Sequence, residues 1–158
     1  MNGMKSKIFL AADHAGFGMK RYIKACLQKQ GYQIGDCGAY KYDEEDDYPN
    51  IMLMAAKKVA SNKNSKGIIF GGSGQGEAIV ANKVKGIRAA VYNCKNPDLI
   101  RLSRTHNNAN ILSIGVRFID KEHALKAVNL WLSTDFSGEP RHKRRLKQIE
   151  VLEKKSCK

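Results

Sequence analysis

The 158-residue chain has no apolar stretch long enough to span a bilayer, so no helical membrane anchor is expected. Its first residues lack the apolar core of a secretory leader, which points to a cytoplasmic protein. The four cysteines, Cys26, Cys37, Cys94 and Cys157, form no CxxC pair and have no metal-ligand spacing. They read as reduced thiols, and neither a metal nor another cofactor is expected. There is no internal repeat, low-complexity tract or linker, so residues 1–158 are expected to form one domain with a real core. Negative charge is also short. Fifteen Asp and Glu against 28 Lys and Arg leave a net charge of +13, which favours an anionic partner, either a small phosphate or a nucleic acid.

What stands out is FGGSGQGEAI, Phe70 to Ile79. The apolar run KGIIF leads into it and the helix-compatible EAIVANKV leads out. Four glycines in six positions permit a tight turn whose backbone N–H groups converge on one anion, with a single carboxylate, Glu77, in the first helical turn. Taken alone, the stretch reads equally as a plain strand-to-helix reversal, in which Glu suits the helix dipole. Two nucleotide readings fail on position. A Walker A loop from Gly71 through Gly76 requires Lys where Glu77 stands, and a dinucleotide fingerprint through Gly72 and Gly74 requires Gly or Ala there.

Read in order, strands are expected over 7–12, 32–38, 67–70, 87–92 and 109–115. Helices are expected over 17–30, 50–61, 77–84, from Pro97, over 121–132 and over 141–155. Strand and helix alternate five times, which predicts a three-layer α/β fold: an open, parallel, Rossmann-like five-stranded sheet in the order 2-1-3-4-5, with a C-terminal helix. Ligands of such sheets bind beyond the carboxyl ends of the strands. Asp13 and His14 stand there, where polar groups face the crevice, and so do the glycine turn and Arg117. His106, Asn107 and Asn108 precede the fifth strand, and read either as site residues or as a helix C-terminus. The acidic run 43–47 reads as a solvated face. In the basic tail, Arg141 and Arg145 are four apart on one helical face, a spacing suited to gripping one phosphate. The tail has no interleaved aromatics to stack bases.

Together these residues resemble the ribose-5-phosphate isomerase B family, which includes galactose-6-phosphate isomerase subunits. The matching segments are ADHAGF, DYP, GGSGQGEAIVANKVKGIRAA, SRTHNNANILSIGVR, WLSTDF and RHKRRLKQI, in the family's order from residue 11 to residue 149. The resemblance implies a homodimer, or a tetramer, with sites at the subunit interface, and metal-free interconversion of an aldose and a ketose phosphate through an enediolate. It implies two branches, one with a cysteine base at the position of Gly71, the other with a glutamate at that of Glu77. This chain resembles the glutamate branch. It further implies His106 as the ring-opening acid, and Ser73 is placed to shuttle a proton between the enediolate oxygens. Substrate contacts are implied at Asp13, His14, Gly72, Ser73, Gly74, Gln75, Gly76 and Asn107, with Tyr48 lining the sugar site. Arg117, Arg141 and Arg145 are implied as the phosphate grip. FSGEPRH departs from the shorter turn of many members.

The implied reaction is ribose 5-phosphate to ribulose 5-phosphate, with a sugar phosphate as partner and neither nucleic acid nor membrane. Glu77 would move hydrogen between C2 and C1, and Asp13 would accept the anomeric proton. Desolvation should raise the pKa of Glu77 and the helix N-terminus should lower it, and the balance is left open. Rival readings are a galactose-, allose- or tetrose-phosphate isomerase, a silent sugar-phosphate binder, and a nucleic-acid-binding protein built on the basic tail.

Overall fold

Helix and strand alternate along the chain as the periodicity requires, and the strands pair in parallel. The computed structural model describes residues 6–156, so Cys157 lies outside the described residues. The elements are β1 (Ile8–Ala12), α1 (Phe17–Lys29), β2 (Ile34–Asp36), α2 (Tyr48–Ser61), β3 (Lys66–Gly71), α3 (Gln75–Ala81), β4 (Ala89–Tyr92), α4 (Pro97–Thr105), β5 (Ile111–Gly115), α5 (Lys121–Ser133) and α6 (Pro140–Ser156). Helix α2 starts two residues earlier than expected because Pro49 sits in its first turn, where a fixed φ and a missing N–H cost nothing. Helix α3 starts at Gln75, two residues before the expected Glu77, and stops at Ala81 rather than at 84.

The sheet order is β2-β1-β3-β5-β4, which corrects the expected 2-1-3-4-5 in its last two strands. Burial explains the exchange. Strand β5 is buried at all five positions, whereas β4 is short, mostly half-exposed, and carries Val91 on its open side. The apolar strand takes the interior and the weaker one the edge. With right-handed crossovers, this order sends α2 and α3 to one face and α1, α4 and α5 to the other.

The two faces of the sheet carry separate cores. Ile8, Leu10, Ile68, Phe70, Leu112 and Ile114 point into one, with Ile23, Leu27 and Trp131 from its helices. Their alternating neighbours Phe9, Ala11, Ile69 and Ile111 point into the other, against Met52, Ala55 and Val59 of α2. Helix α1 buries one charge among its apolar residues. Lys20 is 1% exposed and donates to Asp36 Oδ1 and to the Ala39 carbonyl, both at 2.7 Å. Nothing in the sequence marks this lysine as different from its neighbours.

Helix α6 is tied to the body near both of its ends. His142, in its first turn, is buried, and the Glu153 carboxylate near the other end accepts from the Gly86 N–H at 3.2 Å. Its Ile149, Val151 and Leu152 remain exposed. That apolar stripe faces away from the chain's own core.

Candidate active site

The chain crosses from one side of β1 to the other between β2 and β3, and the crevice opens at that switch point. A pocket of about 240 Å³ lies beyond the carboxyl ends of β1, β3 and β5. Asp13, His14 and Ala15 line it from the first strand, Gly72, Ser73, Gly76 and Glu77 from the glycine turn, Tyr48 from α2 and Arg117 from the end of β5. Three of the glycines leave room for functional side chains. A Cβ on Gly71 would overlap the Glu77 carboxyl, one on Gly72 would lie 2.9 Å from the Arg117 guanidinium carbon, and one on Gly76 would lie 2.7 Å from the Tyr48 hydroxyl. Gly74 has φ +77 and begins α3, with its carbonyl accepting from the Ser113 hydroxyl at 2.6 Å.

Glu77 is 4% exposed and its Oε2 has no hydrogen-bond partner among the described residues. Burial pushes its carboxyl above the ordinary carboxylate range, and the neighbouring Asp13 adds to the shift. The Glu77 and Gly74 backbone amides and the Arg117 charge oppose it. Burial outweighs these opposing groups at the first turn of α3. Asp13 is raised as well, again chiefly by burial, although its Oδ1 accepts from the Gly16 N–H at 2.9 Å. Two neighbouring carboxyls whose pKa values are both raised are better bases than an ordinary carboxylate.

The acidic run is not wholly a solvated face, which corrects that expectation. Asp46 turns inward, accepting at one oxygen from the His14 backbone N–H at 3.1 Å and meeting His14 Nδ1 at 2.8 Å. That bond raises the His14 pKa and fixes the ring beside the pocket. No feature of five consecutive carboxylates singles out this one.

The remaining site candidates stand elsewhere. Gly74 and Gln75 do not line the pocket, and Ser73 Oγ accepts from the Gln75 N–H at 3.2 Å. His106 caps the C-terminus of α4, so it lies at the amino edge of the sheet and not beyond a strand's carboxyl end. Asn110, four residues on, accepts through its carbonyl from the N–H of Gly67 at the start of β3. The five residues of β5 then separate this edge from Arg117, a span of roughly 16 Å. Helix α6 begins beside His106, for Ser137 N–H donates to the Thr105 carbonyl at 3.2 Å. The His106 and His142 rings stack at 4.2 Å between centroids and 19° between planes. Burial pushes the His142 pKa down, and the neighbouring His106 ring adds to this. Asn107 is exposed. Arg141 is exposed too, with its Nε on Glu139 at 2.9 Å, and Arg145 lies one turn further along α6. Within one chain the predicted residues therefore form two groups at opposite edges of the sheet.

Fold and pocket together define an open-sheet α/β protein whose pocket, beyond the carboxyl ends of the strands, brings two carboxyls together with a histidine and an arginine. More particularly, the chain belongs to the ribose/galactose isomerase family, whose model matches residues 8–149. A ribose-5-phosphate isomerase B of Mycolicibacterium paratuberculosis is 41% identical over 148 residues, which are 94% of this chain and 92% of the relative. The solved ribose-5-phosphate isomerase B of Clostridium thermocellum is 43% identical, with a TM-score of 0.89 over 95% of this chain and 99% of that one. That of Mycoplasma genitalium, solved with bound ribulose-5-phosphate, is 36% identical, with a TM-score of 0.91 over 96% of this chain and 99% of that one.

Proposed function

We propose that the protein is one aldose–ketose isomerase domain that interconverts ribose 5-phosphate and ribulose 5-phosphate, with Glu77 as the base. The observation that carries this reading is the buried Glu77 carboxyl, unpaired at Oε2 and raised in pKa, beside a turn whose glycines leave the reacting space open. Glu77 takes hydrogen from C2 of the open aldehyde and returns it at C1. Backbone N–H groups of the turn hold the enediolate oxygens, each donor contributing on the order of 3–4 kcal/mol to barrier lowering. Ser73 passes a proton between those oxygens. Asp13 accepts the anomeric proton while His106 protonates the ring oxygen, and Tyr48 walls the sugar. His14, held by Asp46, and Arg117 meet substrate from the pocket side.

The site is completed by a second copy of the chain. His106, Asn107, Arg141 and Arg145 cannot reach Glu77 across the sheet, and a pocket of about 240 Å³ is small for a whole sugar phosphate. In a two-fold dimer the amino-edge group of one chain meets the carboxyl-edge pocket of the other, twice, by symmetry. The exposed Leu99 and Leu102 of α4 and the exposed stripe on α6 supply apolar area for that contact. The partner's Arg141 and Arg145 then grip the phosphate, and that remote binding energy sets C1 and C2 against Glu77.

The test is a coupled assay of ribose 5-phosphate conversion with EDTA present. Turnover that disappears in Glu77→Gln while substrate binding survives is expected. Turnover unaffected by Glu77→Gln would overturn the base. Faster conversion of a hexose or tetrose phosphate would overturn the substrate.

A further inference from the structure

A second hollow, of about 520 Å³, opens at the amino edge of the sheet, the end opposite the Glu77 pocket. It lies between the loop after α2, the start of β3, the loop before β4 and the turn after α4. Among the described residues, four cations line it, Lys63, Lys66, Arg88 and Arg104, together with four asparagines and no carboxylate. Such a set of like charges is unfavourable unless something answers it.

Within the lining itself the chain answers it only in part, and with neutral oxygens. Arg104 is 6% exposed. It donates from Nε to the Thr134 carbonyl at 3.0 Å, and from Nη1 to Asn108 Oδ1 at 2.9 Å and the Ala109 carbonyl at 2.6 Å. Arg88 donates to the carbonyls of Asn107 and Asn108 at 3.0–3.1 Å. Lys66 makes one long bond, 3.4 Å, to the Leu132 carbonyl. Among the described residues, Arg104 Nη2, Arg88 Nη1 and Lys63 Nζ have no acceptor, which leaves their donors for a ligand. Acidic groups act only from outside the lining: Asp135 on Lys66 and Arg104, Glu150 and Glu153 on Arg88. Burial and mutual repulsion lower the basicity of Lys66 and Arg104.

We propose that this hollow is a second anion site, which binds inorganic phosphate or a small phosphate monoester independently of the isomerase pocket. Two planar guanidinium groups and two ammonium groups suit a phosphate with several oxygens. A recess of this size fits a small molecule, and its lining offers no aromatic face for stacking bases. The reporter is built in. Lys66 Nζ and the Arg104 guanidinium each lie 5.7 Å from the ring centre of Trp131, the chain's single tryptophan. An anion that draws these cations changes the field at the indole.

The test is equilibrium dialysis of the whole protein against radiolabelled inorganic phosphate at constant ionic strength, with Trp131 emission followed in parallel. Two phosphates per chain are expected in the wild type. One should remain in Arg117→Ala, which weakens the isomerase pocket and leaves the emission change intact. Lys63→Gln, a change in an exposed loop, and Lys66→Gln should each weaken the emission-linked phosphate about tenfold or more. Tighter binding of glycerol phosphate would identify a monoester, and tighter binding of phosphate the free anion. One phosphate per chain in the wild type, equal affinity in both lysine variants, or stronger competition by an oligonucleotide would overturn the proposal.

Discussion

Replacing Gly71 by alanine adds one methyl group to the protein, and that group falls on the Glu77 carboxyl. Gly71 is buried at the end of β3 and held in register, with its carbonyl accepting from the Val116 N–H at 2.9 Å, so the strand cannot yield easily. The carboxyl must yield instead. It has to retreat by roughly 1 Å or more, and a misplacement of about 1 Å at a reacting group costs on the order of 100-fold in rate. Steady-state isomerisation by Gly71→Ala should show kcat down about 100-fold with KM within about threefold, because the phosphate grip is untouched. Stability should show the same collision. Gly71→Ala should destabilise the wild type by about 1–3 kcal/mol, as overpacking does, and destabilise a Glu77→Ala background much less. A kcat within a factor of three of wild type would contradict this role for Glu77, since the carboxyl would then be dispensable at the position it occupies.

Glu77→Gln should melt higher than the wild type at pH 8 while losing turnover. A carboxyl raised by burial costs stability once ionised, and the gap should close as the pH falls below its folded pKa. Equal melting at all pH values would contradict a buried charge. Arg117→Ala should raise KM. Because Arg117 opposes the rise of the Glu77 pKa, the acid limb of kcat should also move to higher pH; a limb that stays or moves down would count against the pairing. Asp46→Asn removes the bond that raises the His14 pKa, so KM should increase most just above the ordinary imidazole value of about 6.5, where His14 would lose its proton. A uniform effect across pH would assign Asp46 a purely structural role.

Much of this was legible in the sequence because periodicity and punctuation carry it. The alternation of 2.0 and 3.6 periods located all five strands and six helices, and FGGSGQGEAI marked the turn that holds Glu77. The strand order was harder. Both orders satisfy the same hydrophobic pattern, and the choice rests on how completely ILSIG is buried relative to AAVY. His106 reads from the sequence as preceding the fifth strand, and the structure places it at the C-terminus of α4, but local sequence does not say whether it reaches the pocket within one chain. Single charges that turn inward were invisible. Asp46 sits among four other carboxylates, and Lys20, Arg88 and Arg104 sit among surface-like cations; only tertiary partners distinguish them.

In the proposed function one site is made from two chains, the Glu77 pocket of one and the His106 group of the other. Co-expressing Glu77→Gln with His106→Asn tests it directly. In a mixed two-fold dimer one site carries both substitutions and the other carries neither. Random pairing should therefore return about a quarter of wild-type turnover from two inactive parents. Mixed dimers, isolated through distinct affinity tags, that show no more activity than either parent would contradict the shared site.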